Sequence, residues 1–433
     1  MTKTEDLTSK DRTPTDPIVG RRILVAGCGS IAAVKLPRLV SSLVQQGAQV
    51  RCVLSPKAEQ FVSPLALASL SRQPCNLEAH QCDPCQPRPL HVALAEWAEL
   101  VVVAPLSATT LAQLVHGMAD TLLSSTVLAT QAPLLAAPAM NTTMWDAPAV
   151  QANWQALCRW PRLLPMPPAR GLLACDSRGM GRLPEPELLL QGIRAALATG
   201  GVADLKGLRI LCSAGPTREF LDPVRCLTNP SSGRMGVAMA LMAALRGAAV
   251  QLVHGPLSNV PASWLDPLDT CPVVSAAEMG AALARRLPQV HGLVMAAAVA
   301  DHAPGVTTAV KWAKDALPNP LPLQDTPDLS ATLAARTRRD QWMLGFAAEH
   351  GLDRGRALEK LRRKGLDWIV LNPVGLAGRG FGNQPNGGIL LWADGREHGL
   401  ASQDKATMAG AIWSVLTGEL HQFQRSGPRP TLA

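Results

Sequence analysis

The 433-residue chain contains no tyrosine at all, and tryptophan and phenylalanine bring its aromatic content to only 3%. Bases of single-stranded nucleic acid are held by stacking on exposed rings. The formal net charge of +8 therefore does not indicate nucleic acid, and the basic residues are scattered rather than clustered. Such an excess suits small phosphorylated ligands. Long apolar runs are missing as well: stretches such as Gly292–Ala300 fall far short of the roughly 20 residues of a membrane-spanning helix. The segment Met1–Pro17 is polar, mixed in charge and without the apolar stretch of a secretory leader, so a cytoplasmic location and no membrane partner are expected. No Gly-x-x-x-x-Gly-Lys-Ser/Thr occurs, which excludes a P-loop. The ten cysteines are expected to be thiols, because nothing suggests an oxidising compartment. Cys75, His80, Cys82 and Cys85 have metal-like spacing. Without a second Cys-x-x-Cys they are read as an unliganded loop.

What is present is a repeated α/β pattern, and the length suggests two or three domains. Arg22–Ala26 reads as a strand, Gly27–Lys35 as a glycine turn, Leu36–Gln46 as a helix and Ala48–Leu54 as a second strand. Such a βαβ unit sets a glycine turn over a helix N-terminus, where phosphates bind. The second strand ends in Leu54-Ser55-Pro56. No acidic residue stands there to grip a ribose, which argues against NAD and for a flavin. Leu100–Ala104 and Leu134–Ala137 are further buried strands, delivering Ser107, Thr109 and Thr110, then Pro138-Ala-Met-Asn141, to the carboxyl edge. His91 opens a segment reaching Trp97, and the glycine-rich Arg170–Arg182 reads as a mobile lid carrying Cys175.

Glu185–Leu197 is a helix, and the small residues of Ala198–Asp204 mark a joint near residue 200. The expected organisation is a tail (1–19), a first domain (20–200), a second domain (201–421) and a tail (422–433), with two doubly wound, Rossmann-like α/β sheets. The second domain opens with a strand, Leu208–Cys212. Two loops follow, Ser213–Glu219 and Asn229–Gly236, and then an apolar helix, Met235–Arg246. Free backbone N–H groups before a helix, with Arg218, Arg225 and Arg234, suit an anion. His291–Asp301 reads as a buried strand ending on a carboxylate. Thr326-Pro-Asp-Leu329 starts a helix, and Lys360 and Lys364 share a helix face.

The first-half motifs are Gly29-Ser-Ile-Ala-Ala-Val-Lys35, Leu90-His-Val92, Ala104–Leu111, Pro138-Ala-Met-Asn-Thr-Thr-Met-Trp145 and the Ala174-Cys175 lid. Together they resemble the homo-oligomeric FMN-containing cysteine decarboxylases, specifically the phosphopantothenoylcysteine decarboxylases. The resemblance implies a flavodoxin-like FMN domain. It places Gly29, Ser30, Ser55, Ser107, Thr109 and Met140 on FMN, His91 in the active site, Asn141 on the substrate carboxylate and Cys175 as proton donor. Thr109 stands where the family has asparagine. A non-catalytic, regulatory relative would be expected to lack His91, Asn141 and Cys175, and all three are present.

The second half carries Ala214-Gly-Pro-Thr-Arg-Glu219, Asp222-Pro-Val-Arg225, Asn229-Pro-Ser-Ser-Gly-Arg-Met-Gly236, Ala297-Ala-Val-Ala-Asp301 and Gly345-Phe-Ala-Ala-Glu349. These resemble the phosphopantothenate–cysteine ligases, and in this order the two halves resemble the bifunctional proteins of coenzyme A biosynthesis. The implied chemistry activates 4′-phosphopantothenate with CTP as an acyl-cytidylate, releases pyrophosphate, and then lets the amine of L-cysteine displace CMP. By resemblance Asn229 orients the acyl group and Lys311 steadies the transferring phosphate. Asp301, Lys311, Thr326, Pro327, Asp328, Leu329, Phe346, Lys360 and Lys364 contact CTP, and Mg2+ is held mainly by the nucleotide phosphates. The family further implies trimer contacts in the first domain and dimer contacts in the second, hence a dodecamer. His302 and Cys226 stand where tyrosine is common in the family.

Overall fold

The computed structural model describes residues 16–84, 88–373 and 384–426. Most of both expected tails and Cys85 lie outside the described residues. The chain divides into two compact units, one spanning Asp16–Asp204 and the other beginning at Leu205. Residues 16–19, expected to belong to a tail, are held in place. The Asp16 carboxylate pairs with the Arg194 guanidinium at 2.6 Å, and Ile18 is buried. At the other end the helix Lys405–Ser426 runs past residue 421.

In the first unit, β1 (Arg22–Gly27), β2 (Gln49–Leu54), β3 (Cys75–Asn76), β4 (Leu100–Leu106), β5 (Leu134–Pro138) and β6 (Leu163–Pro165) form one parallel sheet in the order β3-β2-β1-β4-β5-β6. β3 is a two-residue edge. Without it the order is that of a flavodoxin-like sheet. The strands read as continuous apolar runs because helices cover both faces. Leu24, Ala26, Val101 and Val103 share a core with Leu94, Leu111, Leu114, Leu122 and Val127 of the helices Leu90–Trp97, Ala108–Val115 and Leu122–Ala129. The alternate residues, Ile23, Val25 and Val102, point to the other face and are equally buried. The strand order reverses between β1 and β4, so their carboxyl ends open a crevice.

The glycine-rich Arg170–Arg182 segment, expected as an irregular lid, forms an antiparallel pair, β7 (Ala169–Leu172) and β8 (Arg178–Arg182), with Cys175 in the connecting turn. The glycines that hide its periodicity are required by close approach. A β-carbon on Gly179 would meet Thr142 Oγ1 at 2.5 Å, and one on Gly181 would meet the Met140 carbonyl oxygen at 2.2 Å.

In the second unit the principal strands are β9 (Arg209–Ala214), β12 (Ala249–His254), β13 (Asp269–Pro272), β14 (Gly292–Met295), β17 (Trp342–Glu349), β18 (Trp368–Pro373), β19 (Asn386–Trp392) and β20 (Glu397–Gln403). Their order is β13-β12-β9-β14-β17-β18-β19-β20. Pairing is parallel through β18 and antiparallel beyond it. Outside the sheet, β10 (Arg218–Phe220) pairs with β11 (Cys226–Thr228), and β15 (His302–Pro304) pairs with β16 (Leu323–Asp325). The helix Arg234–Leu245 is almost wholly buried, and the C-terminal helix lies against it, with the Trp413 indole N–H donating to the Met239 carbonyl at 2.9 Å.

One strand is shorter than the sequence predicts. β14 stops at Met295, and residues 296–300 leave the sheet as a loop. Its ladder is replaced by one backbone bridge, the Ala298 amide donating to the Gly215 carbonyl at 2.9 Å, and by side chains from β9 and the loops after it. Ser213 Oγ accepts from the amides of Ala296 and Ala297, both at 3.2 Å, and Thr217 Oγ1 accepts from that of Ala300 at 3.0 Å. Asn229 Nδ2 donates to the carbonyls of Ala298 (3.3 Å) and Val299 (3.2 Å). An apolar run of small residues thus becomes a backbone-lined wall rather than a strand.

Candidate active sites

In the first unit, the residues expected on the flavin converge on the carboxyl edge. The Cys28 amide donates to the Pro105 carbonyl (3.1 Å) and the Ser55 amide to the Gly27 carbonyl (3.0 Å), tying the turns after β1, β2 and β4 together. Ser30 Oγ caps the short helix Ile31–Lys35, and Ser107 Oγ caps Ala108–Val115 by accepting from the Thr110 amide at 3.2 Å. Thr109 is exposed in that helix's first turn. Two capped turns with hydroxyls and first-turn amides facing a crevice fit the phosphate of a flavin nucleotide. The cavity bounded by Arg51, Arg72 and Trp97 lies instead at the amino ends of the strands, away from these residues.

The structure brings Asn141 and Cys175 together. Asn141 caps Thr142–Asp146, its Oδ1 accepting from the Thr143 amide at 2.8 Å, which leaves Nδ2 to donate to Cys175 Sγ at 3.0 Å. The Met140 amide donates to the Gly181 carbonyl at 3.0 Å, seating the β7–β8 hairpin on the end of β5. Cys175 Sγ also lies 3.1 Å from Ser177 Oγ. The Ser177 hydroxyl first, then its backbone N–H and the Asn141 amide, hold the exposed thiol below its ordinary pKa. His91 sits in the first turn of Leu90–Trp97. Among the described residues no hydrogen bond joins it to Asn141 or Cys175. Of the four candidate metal ligands, Cys75 is buried in β3, Cys82 is exposed and His80 Nδ1 accepts from the Leu77 amide. Burial pushes the Cys75 thiol up to about 12.

In the second unit the strand order reverses between β9 and β14, and a cleft of about 400 Å3 opens there. Asn229, Asp301, Thr326, Pro327, Asp328, Leu329, Phe346, Lys360 and Lys364 all line it. Asp328 caps the helix Leu329–Ala334 and pairs with Lys364 Nζ at 2.9 Å. Burial raises the Asp328 carboxyl, but the hydrogen bonds from Lys364 and the Ala331 amide outweigh it and hold the group below its ordinary value. Lys360 lies 3.7 Å from Glu349, and burial lowers its ammonium pKa. Lys311 is not in the cleft wall. It is exposed on the loop between β15 and β16, whose Trp312 carbonyl accepts from Arg225 at 3.2 Å. Of Arg218, Arg225 and Arg234, the cleft includes Arg234. Asn372, Asn386 and Lys405 also line it. Sequence reasoning missed all three, because each lies far along the chain from the glycine-rich loops and carries no local signal.

Residues 11–198 match the flavoprotein family, and residues 205–419 match the DNA/pantothenate metabolism flavoprotein C-terminal domain. Over 402 residues the chain is 37% identical to the coenzyme A biosynthesis bifunctional protein CoaBC of Vibrio cholerae, covering 92% of this chain and 98% of that protein. It is likewise 37% identical to the protein of that name from Bacillus subtilis over 393 residues, 90% of this chain and 95% of the relative. With that of Mycobacterium bovis it shares 37% over 408 residues, 91% and 96% of the two chains. The motifs, the two doubly wound sheets and these end-to-end similarities agree, and the chain belongs to the family of bifunctional coenzyme A biosynthesis proteins.

Proposed function

We propose that this chain catalyses two consecutive steps. The second unit ligates L-cysteine to 4′-phosphopantothenate at the expense of CTP. The first unit decarboxylates the resulting 4′-phosphopantothenoylcysteine to 4′-phosphopantetheine with FMN at its carboxyl edge. The product of one site is the substrate of the other, and both bind the same phosphate tail. The observation that supports the reading is the contact between Asn141 and Cys175, which suits an amide that binds the substrate carboxylate and a thiol that donates the proton.

For decarboxylation, Gly29, Ser30, Ser55, Ser107, Thr109 and Met140 hold FMN. When bound, the flavin supplies the two-electron redox chemistry that gives the carboxylate electrons a sink. Because Asn141 Oδ1 is occupied by the Thr143 amide, its Nδ2 group is oriented toward the hairpin and donates to the substrate carboxylate. Cys175 gives up its thiol proton to the product carbon. His91 completes the site.

For ligation, the carboxylate of 4′-phosphopantothenate attacks the α-phosphorus of CTP and pyrophosphate departs. The cysteine amine then attacks the acyl carbon and CMP leaves. Asn229 Nδ2 donates to the Ala298 and Val299 carbonyls, so the atom it offers to substrate is Oδ1. Asp301, Thr326–Leu329, Phe346, Lys360 and Lys364 hold the nucleotide, and Mg2+ balances its phosphate charge. Lys311 acts at the α-phosphate once the loop between β15 and β16 carries it to the cleft. A higher assembly is part of the reading: trimer contacts in the first unit, dimer contacts in the second, and a dodecamer overall. Ile31, Val34, Phe61 and Leu65 support it, being large apolar side chains left exposed in the segments after Ser30 and Ser55.

The test is a visible absorption spectrum of the purified chain, followed by a coupled assay with CTP, L-cysteine and 4′-phosphopantothenate. Bound FMN and 4′-phosphopantetheine formation are expected. With pyrophosphate release reporting ligation and 4′-phosphopantothenoylcysteine supplied directly for decarboxylation, His91→Ala abolishes decarboxylation alone and Lys311→Ala abolishes ligation alone. Loss of both activities from either change overturns the two-site assignment.

A further inference from the structure

The motif Ala214–Glu219 follows directly from β9, yet none of its residues enters the ligation chemistry above. Thr217 is at its centre. The residue is fully buried and stands behind the cleft wall of residues 296–301 rather than in it. Its neighbours are anchored on the segment after β13. The Arg218 amide donates to the Val274 carbonyl at 2.9 Å, and the Glu219 carboxylate accepts from the Ala276 amide at 2.9 Å.

Three hydrogen bonds join Thr217 to the site. Its amide donates to the Ala298 carbonyl at 3.3 Å, the same oxygen that accepts from Asn229 Nδ2. Its carbonyl accepts from the hydroxyl of Thr228, the residue before Asn229, at 2.8 Å. Its own Oγ1 accepts from the Ala300 amide at 3.0 Å. The next peptide group is closed by Thr326. The Ala300 carbonyl accepts from the Thr326 hydroxyl, and the Asp301 carbonyl accepts from the Thr326 amide at 3.0 Å.

Asp301 is exposed and lines the cleft, placed there by backbone bonds on either side of its peptide group. Burial, and then Lys364, lower the Lys360 ammonium pKa, and the Glu349 and Asp301 carboxylates oppose that lowering. A shift of the Asp301 backbone therefore alters the charge that Lys360 meets. Along the wall, the amides of Ala296 and Ala297 have the Ser213 hydroxyl, and that of Ala298 has the Gly215 carbonyl. The Ala300 amide has Thr217 Oγ1. A buried amide stripped of its acceptor is costly, and the chain shifts to relieve it. Ala300 is buried. Deleting one oxygen thus loosens the wall at its Asp301 end and leaves the bonds at its other end in place.

We infer that Thr217 is a positioning residue for ligation: its hydroxyl fixes the peptide between Ala300 and Asp301 and so aims Asp301 at the nucleotide. The inference rests on the ligase reading above, in which Asp301 contacts CTP.

The experiment is calorimetric titration of CTP into the full chain, comparing wild type with Thr217→Val, Thr217→Ser, Asp301→Asn and the double variant of Thr217→Val with Asp301→Asn. The KM for 4′-phosphopantothenate is read from pyrophosphate release in the wild type and the two Thr217 variants. Valine has the shape of threonine and lacks the acceptor. Thr217→Val is expected to weaken CTP about tenfold, and Thr217→Ser to restore it. The KM for 4′-phosphopantothenate should stay within about twofold of wild type in both. Asp301→Asn weakens CTP by itself, and adding Thr217→Val to it should cost less than about twofold more, because two residues acting through one contact are not additive. General damage to the unit would instead move both substrates and add in full to Asp301→Asn. Full additivity, equal losses for both substrates, or unchanged CTP affinity in Thr217→Val overturns the role. Should Thr217→Val fail to fold, hydrogen exchange of the wild-type peptide over 296–301 decides. Protection before CTP is added is expected, and exchange at the rate of an open loop overturns the inference. Wild type that does not bind CTP, or Asp301→Asn that binds it undiminished, removes the reading on which the role rests, an outcome distinct from an unaffected Thr217→Val.

Discussion

Asn141 Nδ2 lies 3.0 Å from Cys175 Sγ, joining the end of a buried parallel strand to the tip of an exposed hairpin 34 residues later. The contact exists because Asn141 caps the next short helix through Oδ1, so its amide has one orientation. A carboxylate on Nδ2 then sits within reach of the thiol.

The thiol makes the first prediction. Ser177, followed by Asn141, holds Cys175 below the ordinary thiol range. A proton donor works below its pKa and fails as the pH rises through it. The alkaline limb of decarboxylation should therefore fall below the pH expected for an unperturbed cysteine, and Ser177→Ala should move it upward. A pH–rate profile of kcat, together with the pH dependence of Cys175 alkylation read by peptide mass, checks both. A limb that stays in place in Ser177→Ala refutes the coupling.

Gly29 is required by contact rather than by backbone freedom. A β-carbon there would lie 2.4 Å from Lys57 Cβ, and relieving such overpacking costs about 1–3 kcal/mol. Because the turn also faces the flavin crevice, Gly29→Ala should purify folded with at least about tenfold weaker FMN binding. Flavin absorbance against total protein, with circular dichroism as the folding control, measures this. Full flavin occupancy at limiting FMN would show that the turn does not contact the cofactor.

Asp328 has two jobs that substitution separates. It caps the helix Leu329–Ala334, and it neutralises Lys364. Asp328→Asn keeps the cap and loses the pair, whereas Asp328→Ala loses both. The alanine variant should be about 1 kcal/mol less stable than the asparagine variant, by denaturant unfolding. The folded carboxyl sits below its ordinary pKa. Its electrostatic stabilisation is therefore present above the unfolded carboxylate value and is lost as the pH falls through the folded one. In Asp328→Asn that acid dependence should shrink.

Arg246 is 1% exposed and ties two helices together, donating to the Gly410 carbonyl, Ser414 Oγ and Thr417 Oγ1. Arg246→Met removes the charge and these hydrogen bonds with little change in length, while the Gly410 carbonyl keeps the Ser414 hydroxyl as a donor. Hydrogen bonds from a charged donor contribute about 1.5–3 kcal/mol. Scanning calorimetry should show a lower transition for the second unit with the flavin spectrum unchanged. An unaltered transition would mean that water or neighbouring groups satisfy the acceptors.

By itself the sequence determined where strands end and helices begin along the chain. Apolar runs of strand length ending in glycine, serine, threonine or asparagine mark carboxyl edges, because a buried parallel strand and the turn that leaves it are both local patterns. Ser30, Ser107, Asn141 and Asp328 were legible for that reason: each is a cap or turn residue adjacent to its own strand or helix. Tertiary structure decided what depends on partners distant in the chain. Residues 296–300 read as strand, but their amides and carbonyls go to Ser213, Thr217 and Asn229, so the strand stops at Met295 and the cleft acquires a backbone wall. The Arg170–Arg182 segment carries no period because Gly179 and Gly181 answer to Thr142 and Met140, which lie outside it. Lys311 matches a motif yet stands outside the cleft, while Lys405, with no motif, lines it. Local propensity encodes how a segment begins and ends, whereas the address of a charge is set by long-range packing of helices and strands, which no short window of sequence contains.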